Sequence, residues 1–446
     1  MNVLKDFVDN YRAIRAALPW LDCYVSELPV PFAEASTQAP TEAVKLTASG
    51  NIRLVIQTEH SFEEIAEMAK NEPDVKFIIA SGTQKLLYHF AAIENLLLNY
   101  ENIYLANGNF CSMLGLERLV KAGVGKKLLY GSMVPYLDPG QALGPIVLGQ
   151  FDWVTKCGIA GNNFRKLLGL PPVNVPEVPL KKFPPFMVDA HAHTIRPETT
   201  CRFPAPGAAP QWDLWEPVLD AYATEFYFAT PSETNRDGQE TPASQEMAQI
   251  VKDSNGRVRY FTGFDPRHAD FCYAEAERTL GNPECVGLKI HPPAHRTYGS
   301  DLVYARAFEV AGRFNKTVMT HSWGLSDYND TQKYSTPLLF DEHCRNYPDT
   351  KFVLGHAGGR PNGFPEAVEM CKRHKNVFVD LAGDFFHNGV IQAAAKEIGA
   401  DKILFASDLY WIDPRCTLGM LIEAELPLED LWKILRTNAL KVYLNR

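Results

Sequence analysis

The sequence predicts an α/β protein built on a (β/α)8 barrel, preceded by a smaller domain of related design. Three observations point there. Eight short apolar runs alternate with amphipathic stretches through residues 187–446. Four of those runs end in ligand-type side chains, in "DAHAH", "MTHSW", "LGHAGG" and "FASDLYW". The stretch "PPVNVPEVPLKKFPPF", with six prolines in sixteen residues, divides that part from the residues before it.

The predicted strands are Met187–His193, Glu225–Thr230, Arg259–Phe264, Val286–His291, Thr317–His321, Phe352–His356, Val377–Leu381 and Ile403–Ser407. Helical patterns such as "VYARAFEVAGRF" and "PEAVEMCKRH" lie between them. Proline fixes φ and interrupts helix and central strand, so 171–186 reads as an extended linker. It leaves a domain at 1–170 and the barrel at 187–446.

A net charge of -9 argues against nucleic-acid and anionic-membrane partners, which need basic patches. The opening "MNVLKDFVDNYRAIRAALPW" carries charges inside its apolar pattern and reads as an amphipathic helix. No apolar run has the length of a membrane span. The nine cysteines are scattered, without a CxxC pair, as expected of a reduced, cytoplasmic protein.

Active sites of such barrels sit at the C-terminal ends of the strands. Four distant runs therefore bring polar groups to one mouth. On a strand, residues i and i+2 share a face, so His191 and His193 point the same way, with Asp189 one layer deeper. Two adjacent neutral imidazoles suit one divalent cation: zinc first, with iron or manganese also compatible. His321 and Asp408 are available as further ligands. Taken singly, His321 would be an ordinary core histidine and Asp408 a helix N-cap.

Other strand ends add candidates. His356 precedes "AGG", whose small residues allow close approach, and is read as catalytic, with metal ligation as the alternative. Lys289 and His291 share a face of "GLKIHP". A lysine inside a barrel is costly unless paired or functional, so Lys289 is a site residue, and a carbamylated bridging ligand is a further option. His291 either contacts substrate or orients the loop at Pro292. Arg267 and Arg360 could each grip a substrate carboxylate in a bidentate fork. Trp323, Tyr410 and Trp411 could wall the pocket.

Together, HxH on the first strand, "GLKIHP", "MTHSWG", "GHAGG" and a late "SD" resemble the amidohydrolase superfamily, in the branch that includes aminocarboxymuconate-semialdehyde decarboxylase. The resemblance covers roughly residues 187–446. It implies metal ligation by His191, His193, His321 and Asp408, with His356 activating water or substrate. "ASDLYW" departs from the family pattern, which has a glycine before Ser-Asp and a proline soon after; this alters the rim and not Asp408. The first expectation for the reaction is hydrolysis of a C–N or C–O acyl bond by metal-activated water. Asp408 would take the proton, and His356 would stabilise the oxyanion. The alternative is a lyase that decarboxylates or hydrates a small carboxylate on the same site. A non-catalytic binding protein is the third reading, opposed by the intact ligand set.

The first domain repeats the latter half of the barrel. "KKLLYGSMVPYLDP" resembles "DKILFASDLYWIDP", and "PDVKFIIASG" resembles "PDTKFVLGHAG", both 275 residues apart (126 and 401, 73 and 348). "GNNFRKLLG" resembles "RTNALKVYL". In that copy His321, His356 and Asp408 become Gln57, Ser81 and Met133. Residues 1–170 are therefore expected to be a degenerate, non-catalytic half barrel with no counterpart of the "DAHAH" strand. A half barrel has open edges and an apolar inner face. It must pack on the catalytic barrel, pair with a second copy in a homodimer, or act as a lid over the substrate. The small-molecule substrate and the homodimer are the partners expected.

Overall fold

The structure is a computed structural model and describes residues 1–26, 42–43, 51–81, 89–193, 220–230, 251–383, 385–409 and 411–446. The first helix, Asn2–Ala17, buries Leu4, Phe7, Val8, Tyr11 and Ile14, the apolar stripe of a 3.6-residue period. Each such side chain contributes about 1.5–3 kcal/mol of burial energy. The first domain then supplies β1 (Leu21–Asp22), β2 (Glu42–Ala43), β3 (Ile52–Ile56), β4 (Lys76–Ala80), β5 (Ile103–Ala106) and β6 (Leu128–Leu129). β1 pairs in parallel with β2, and β3 to β6 form a parallel sheet in sequence order. The proline-rich segment, 171–186, has no regular secondary structure. Asn10 holds it through Pro179 and Lys181, and Asn162 through Val173.

Eight parallel strands follow: β7 (Met187–His193), β8 (Thr224–Thr230), β9 (Val258–Gly263), β10 (Cys285–Ile290), β11 (Thr317–His321), β12 (Phe352–Gly355), β13 (Val377–Asp380) and β14 (Ile403–Leu404). Each pairs with the next in sequence order. The ring closes where Ala192 bridges Leu409 and where the Ala190 N–H donates to the Phe405 carbonyl at 3.0 Å. This is the predicted (β/α)8 barrel, with strand ends within a few residues of those expected. An inner cluster of Val188, Phe228, Phe261, Met319, Val353 and Leu404 packs on Val442 and Tyr443 of the last helix, Asn438–Leu444. No helix among the described residues is long and apolar enough to cross a membrane. The eight described cysteines are buried and form no disulfide.

The internal repeat is visible in hydrogen bonds. Asn102 Nδ2 donates to the carbonyls of Ala69, Glu72 and Val75, and Asn376 Nδ2 to those of Cys344, Tyr347 and Thr350. Asn163 caps Gly125 and Leu128 as Asn438 caps Ala400 and Ile403. A π-helical turn occurs at the same place in both copies, Gly158–Asn162 and Lys433–Thr437.

One expectation is corrected. The "DAHAH" strand does have a counterpart: β1 and its continuation, Leu21–Ser26. Cys23 donates to the Tyr130 carbonyl as Ala190 does to Phe405. Asp22 Oδ1 accepts from the Ser132 N–H as Asp189 Oδ1 accepts from that of Ser407. Tyr24 and Ser26 thus stand where the barrel has His191 and His193. Loss of both histidines, and a spacing to β3 quite unlike the barrel's, hid the match. The first domain holds the places of β7, β8 and β11 to β14; nothing among the described residues takes those of β9 and β10.

Candidate metal centre and pocket

A cavity of about 420 Å³ opens at the C-terminal ends of the barrel strands. On its wall the ligand atoms of His191, His193 and Asp408 all lie within 4.8 Å of one another. β7 supplies the two histidines, and the segment after β14 supplies the aspartate. His193 Nε2 is 2.8 Å from Asp408 Oδ1, and His193 Nδ1 meets the Thr230 hydroxyl at 2.9 Å. Asp408 has φ of 64° and His356 of 65°, left-handed values that disfavour side chains with a Cβ. Strained backbone of this kind gathers at functional sites.

The protonation pattern suits a cation. Burial, then the neighbouring Lys289 ammonium, lowers His191 to about 3, so its imidazole is neutral. Burial alone would raise Asp408, but His193 and its hydrogen bond outweigh this and hold it well below the usual carboxylate range. Two imidazoles and one carboxylate are a donor set that fits a divalent transition metal. Asp380 orients the set. Its Oδ2 is 3.0 Å from His191 Nδ1, leaving Nε2 turned towards the site, and its Oδ1 accepts from the His356 N–H at 2.8 Å. Sequence reasoning passed over Asp380. The signal was present, an acid closing the apolar run "VFVD" at a barrel strand end.

Lys289 is buried at the end of β10, its Nζ 2.9 Å from His191 Nε2. Burial lowers it to about 8. His321 shares the pocket but stands apart from the three-donor cluster. Its Nε2 meets Gln332 Oε1 at 2.9 Å, and its ring lies 4.7 Å from that of His356 and 4.5 Å from that of His291. His291 lines the pocket and also caps its own loop, its Nδ1 accepting from the Ala294 N–H. His356 is held by Ala382, its Nδ1 3.1 Å from that carbonyl. Gly383, at φ of 86°, makes room for it, since a Cβ there would lie 2.7 Å from His356 Nδ1.

Trp323, Trp411 and Arg360 line the pocket. The Arg360 guanidinium lies 6.0 Å from the Trp323 ring centre and 5.8 Å from that of Tyr328. Arg267 is a correction: it does not line this pocket, because Asp265 two residues earlier takes its guanidinium in a fork. Asp189 is a second. The pairing of β7 with β8 shifts register between Asp189 and Ala192, and the buried Asp189 carboxylate accepts from the Ser407 and His191 N–H groups without lining the pocket. Tyr410 lies outside the described residues. Tyr328, Asn329 and Gln332 enter the lining from the loop after β11, and His89 enters from the first domain.

A (β/α)8 barrel with histidines and an aspartate clustered at its mouth defines a class of metal-dependent enzymes. The family model described as amidohydrolase matches residues 188–444, and the chain belongs to that family. Its fold is similar to that of 2,6-dihydroxybenzoate decarboxylase complexed with 2,6-dihydroxybenzoate, at 18% identity and a TM-score of 0.47, over 58% of this chain and 99% of that one. A dihydroxybenzoic acid decarboxylase from Polaromonas sp. JS666, with bound manganese and 2-nitroresorcinol, gives 16% and 0.44 over 59% and 98%. A putative amidohydrolase from Staphylococcus aureus gives 16% and 0.46 over 58% and 98%. No curated protein matches the sequence.

Proposed function

We propose that the chain is a metal-dependent lyase that removes carbon dioxide from a small, flat, unsaturated carboxylic acid. The observation that carries this reading is the make-up of one cavity. A three-donor metal cluster, the Lys289 ammonium and the Arg360 guanidinium line it together with Trp323 and Trp411. His191, His193 and Asp408 would hold the cation, with His321 a further ligand once its bond to Gln332 is released. A bound divalent metal would polarise a substrate oxygen and accept part of the charge that develops as the carboxylate leaves.

Trp323 and Trp411 are the aromatic walls we assign to an unsaturated substrate, and the Arg360 guanidinium is the cation we assign to its carboxylate. Loss of CO2 leaves a carbanion that needs a proton. Lys289, at about 8, still carries one at neutral pH, while burial keeps His321 and His356 neutral. The C–C bonding pair goes to carbon, the proton follows, and CO2 departs.

One observation favours a second reading. Asp408 is ionised beside His193 and could take a proton from water, as acyl hydrolysis requires. Incubating the manganese-loaded full chain with a panel of hydroxybenzoates, unsaturated acids, amides and esters separates the two. Stoichiometric CO2 supports the lyase. Release of an amine or alcohol without CO2 overturns it in favour of hydrolysis.

A further inference from the structure

The two domains meet about an internal twofold. The Asp138 N–H donates to the Phe386 carbonyl at 2.8 Å, and the Asp413 N–H to the Cys111 carbonyl at 2.9 Å. In the repeat numbering these are one contact made twice, since 138 answers to 413 and 111 to 386. The helices Gly140–Val147 and Pro414–Glu423 lie against each other at the centre. There a Cβ on Gly144 would fall 2.0 Å from the Arg415 carbonyl oxygen, and one on Gly419 would fall 2.0 Å from that of Gly140. These again are one close approach seen from both sides, 144 answering to 419 and 140 to 415. Two identical barrels docked on a twofold axis would make such a face. Here one chain makes it with itself.

We propose that residues 1–170 serve as a resident partner subunit, docked on this pseudo-twofold so that His89 completes the pocket as a substrate-contacting residue. His89 lines the same cavity as His193, Lys289 and Arg360. It is half-buried at the start of the helix Phe90–Asn99, for which its side chain makes no capping hydrogen bond. Its ring packs 5.2 Å from that of Phe62, and its buried Nδ1 has no partner among the described residues. A histidine that neither caps its helix nor hydrogen-bonds through Nδ1 to any described residue is placed to serve a ligand. The first domain has lost the histidines and the aspartate of its own site, yet it supplies one group to its neighbour's.

This inference rests on the carboxylate-lyase reading, and two measurements on the full chain separate them. The first needs only metal. In a carbon-detected spectrum of protein carrying 13C-histidine, Mn2+ should erase the His89 signals, assigned with H89Q, together with those of the pocket histidines. His89 signals that persist while the pocket histidines vanish overturn its placement; persistence of all twelve histidines overturns the metal reading beneath it. The second is calorimetric titration of the manganese-loaded chain with 2,6-dihydroxybenzoate. H89A should bind roughly ten-fold more weakly at unchanged metal content, the loss of one hydrogen bond to a charged group, and H89Q should recover most of it. Equal affinity in wild type and H89A overturns the role of His89. No binding by wild type overturns the flat-carboxylate reading, and His89 is then decided by the manganese spectrum.

Discussion

The imidazole of His193 and the carboxylate of Asp408 meet at 2.8 Å across 215 residues of sequence. Nothing in the local chain requires this contact, because a strand end and the turn after a distant strand bring the two together. In H193A the Asp408 carboxylate keeps its place but one imidazole is gone. Elemental analysis of purified H193A should fall from about one metal per chain to none, with the far-ultraviolet circular dichroism unchanged. Metal retained at the wild-type level would remove His193 from the ligand set.

Asp380 touches His191 Nδ1 and the His356 backbone but stands outside the three-donor cluster. It positions the ring that binds. D380N keeps the shape and loses the charge, so metal affinity should drop by about 10–100-fold while saturating metal restores occupancy. A competition titration against a chelating dye measures this. Unchanged affinity would leave Asp380 a structural cap for His356 alone.

Lys289 separates two chemistries. As an acid it is needed for turnover and not for metal, so K289M should keep its metal and lose CO2 release. As a carbamylated bridge it would be a ligand, and K289M would then lose metal in proportion. Metal analysis of wild type and K289M prepared side by side, with and without added bicarbonate, decides between them.

Much of this was legible in the sequence because barrel strands are short apolar runs with their chemistry at one end. "MVDAHAH", "TVMTH" and "ILFASD" show both features. Asp380 was harder, since a lone acid after "VFV" also reads as an ordinary strand end. "LDCYVS" was missed as a strand of the first domain because Tyr24 and Ser26 erase the histidine signal and only Leu21–Asp22 keep strand geometry. Arg267 misled because local chemistry decided its fate: an aspartate two residues away outcompetes a distant ligand. His89 could not be found from pattern at all. Its place depends on how two domains dock, which no local run of residues encodes.

Asp22, the relic of Asp189, makes a pH prediction far from the metal. Burial raises it to about 6 from an ordinary 3.8, against hydrogen bonds from Ser132 and Tyr24. A raised carboxyl binds its proton more tightly when folded. Its contribution is therefore fully present below about pH 4 and is lost as pH rises through about 6. D22N removes the titration while keeping an acceptor oxygen for Ser132. The stability difference between D22N and wild type should shift in favour of D22N from pH 4 to pH 7, by an amount of order 2 kcal/mol. Urea melts at the two pH values test this, and parallel curves would mean that Asp22 titrates normally.

Arg415 joins the domains. It is fully buried, its Nε is 2.8 Å from Asp413 Oδ1, and it reaches Glu117 of the first domain at 2.9 Å. R415M would leave the buried Asp413 and the partly buried Glu117 without the guanidinium they share, a loss of about 3–5 kcal/mol. Removing one carboxylate as well, in R415M/E117Q, should recover part of it, because the penalty comes from stranded charge and not from lost volume. The same pair distinguishes docking from folding. Each metal donor sits on the barrel, so the folded R415M protein should retain its metal while binding of 2,6-dihydroxybenzoate weakens as His89 loses its place. Calorimetry on R415M at a temperature where circular dichroism shows it folded makes the comparison. Metal and ligand lost together would mean that the barrel needs the first domain to hold its own strands, and that the two copies have become one folding unit.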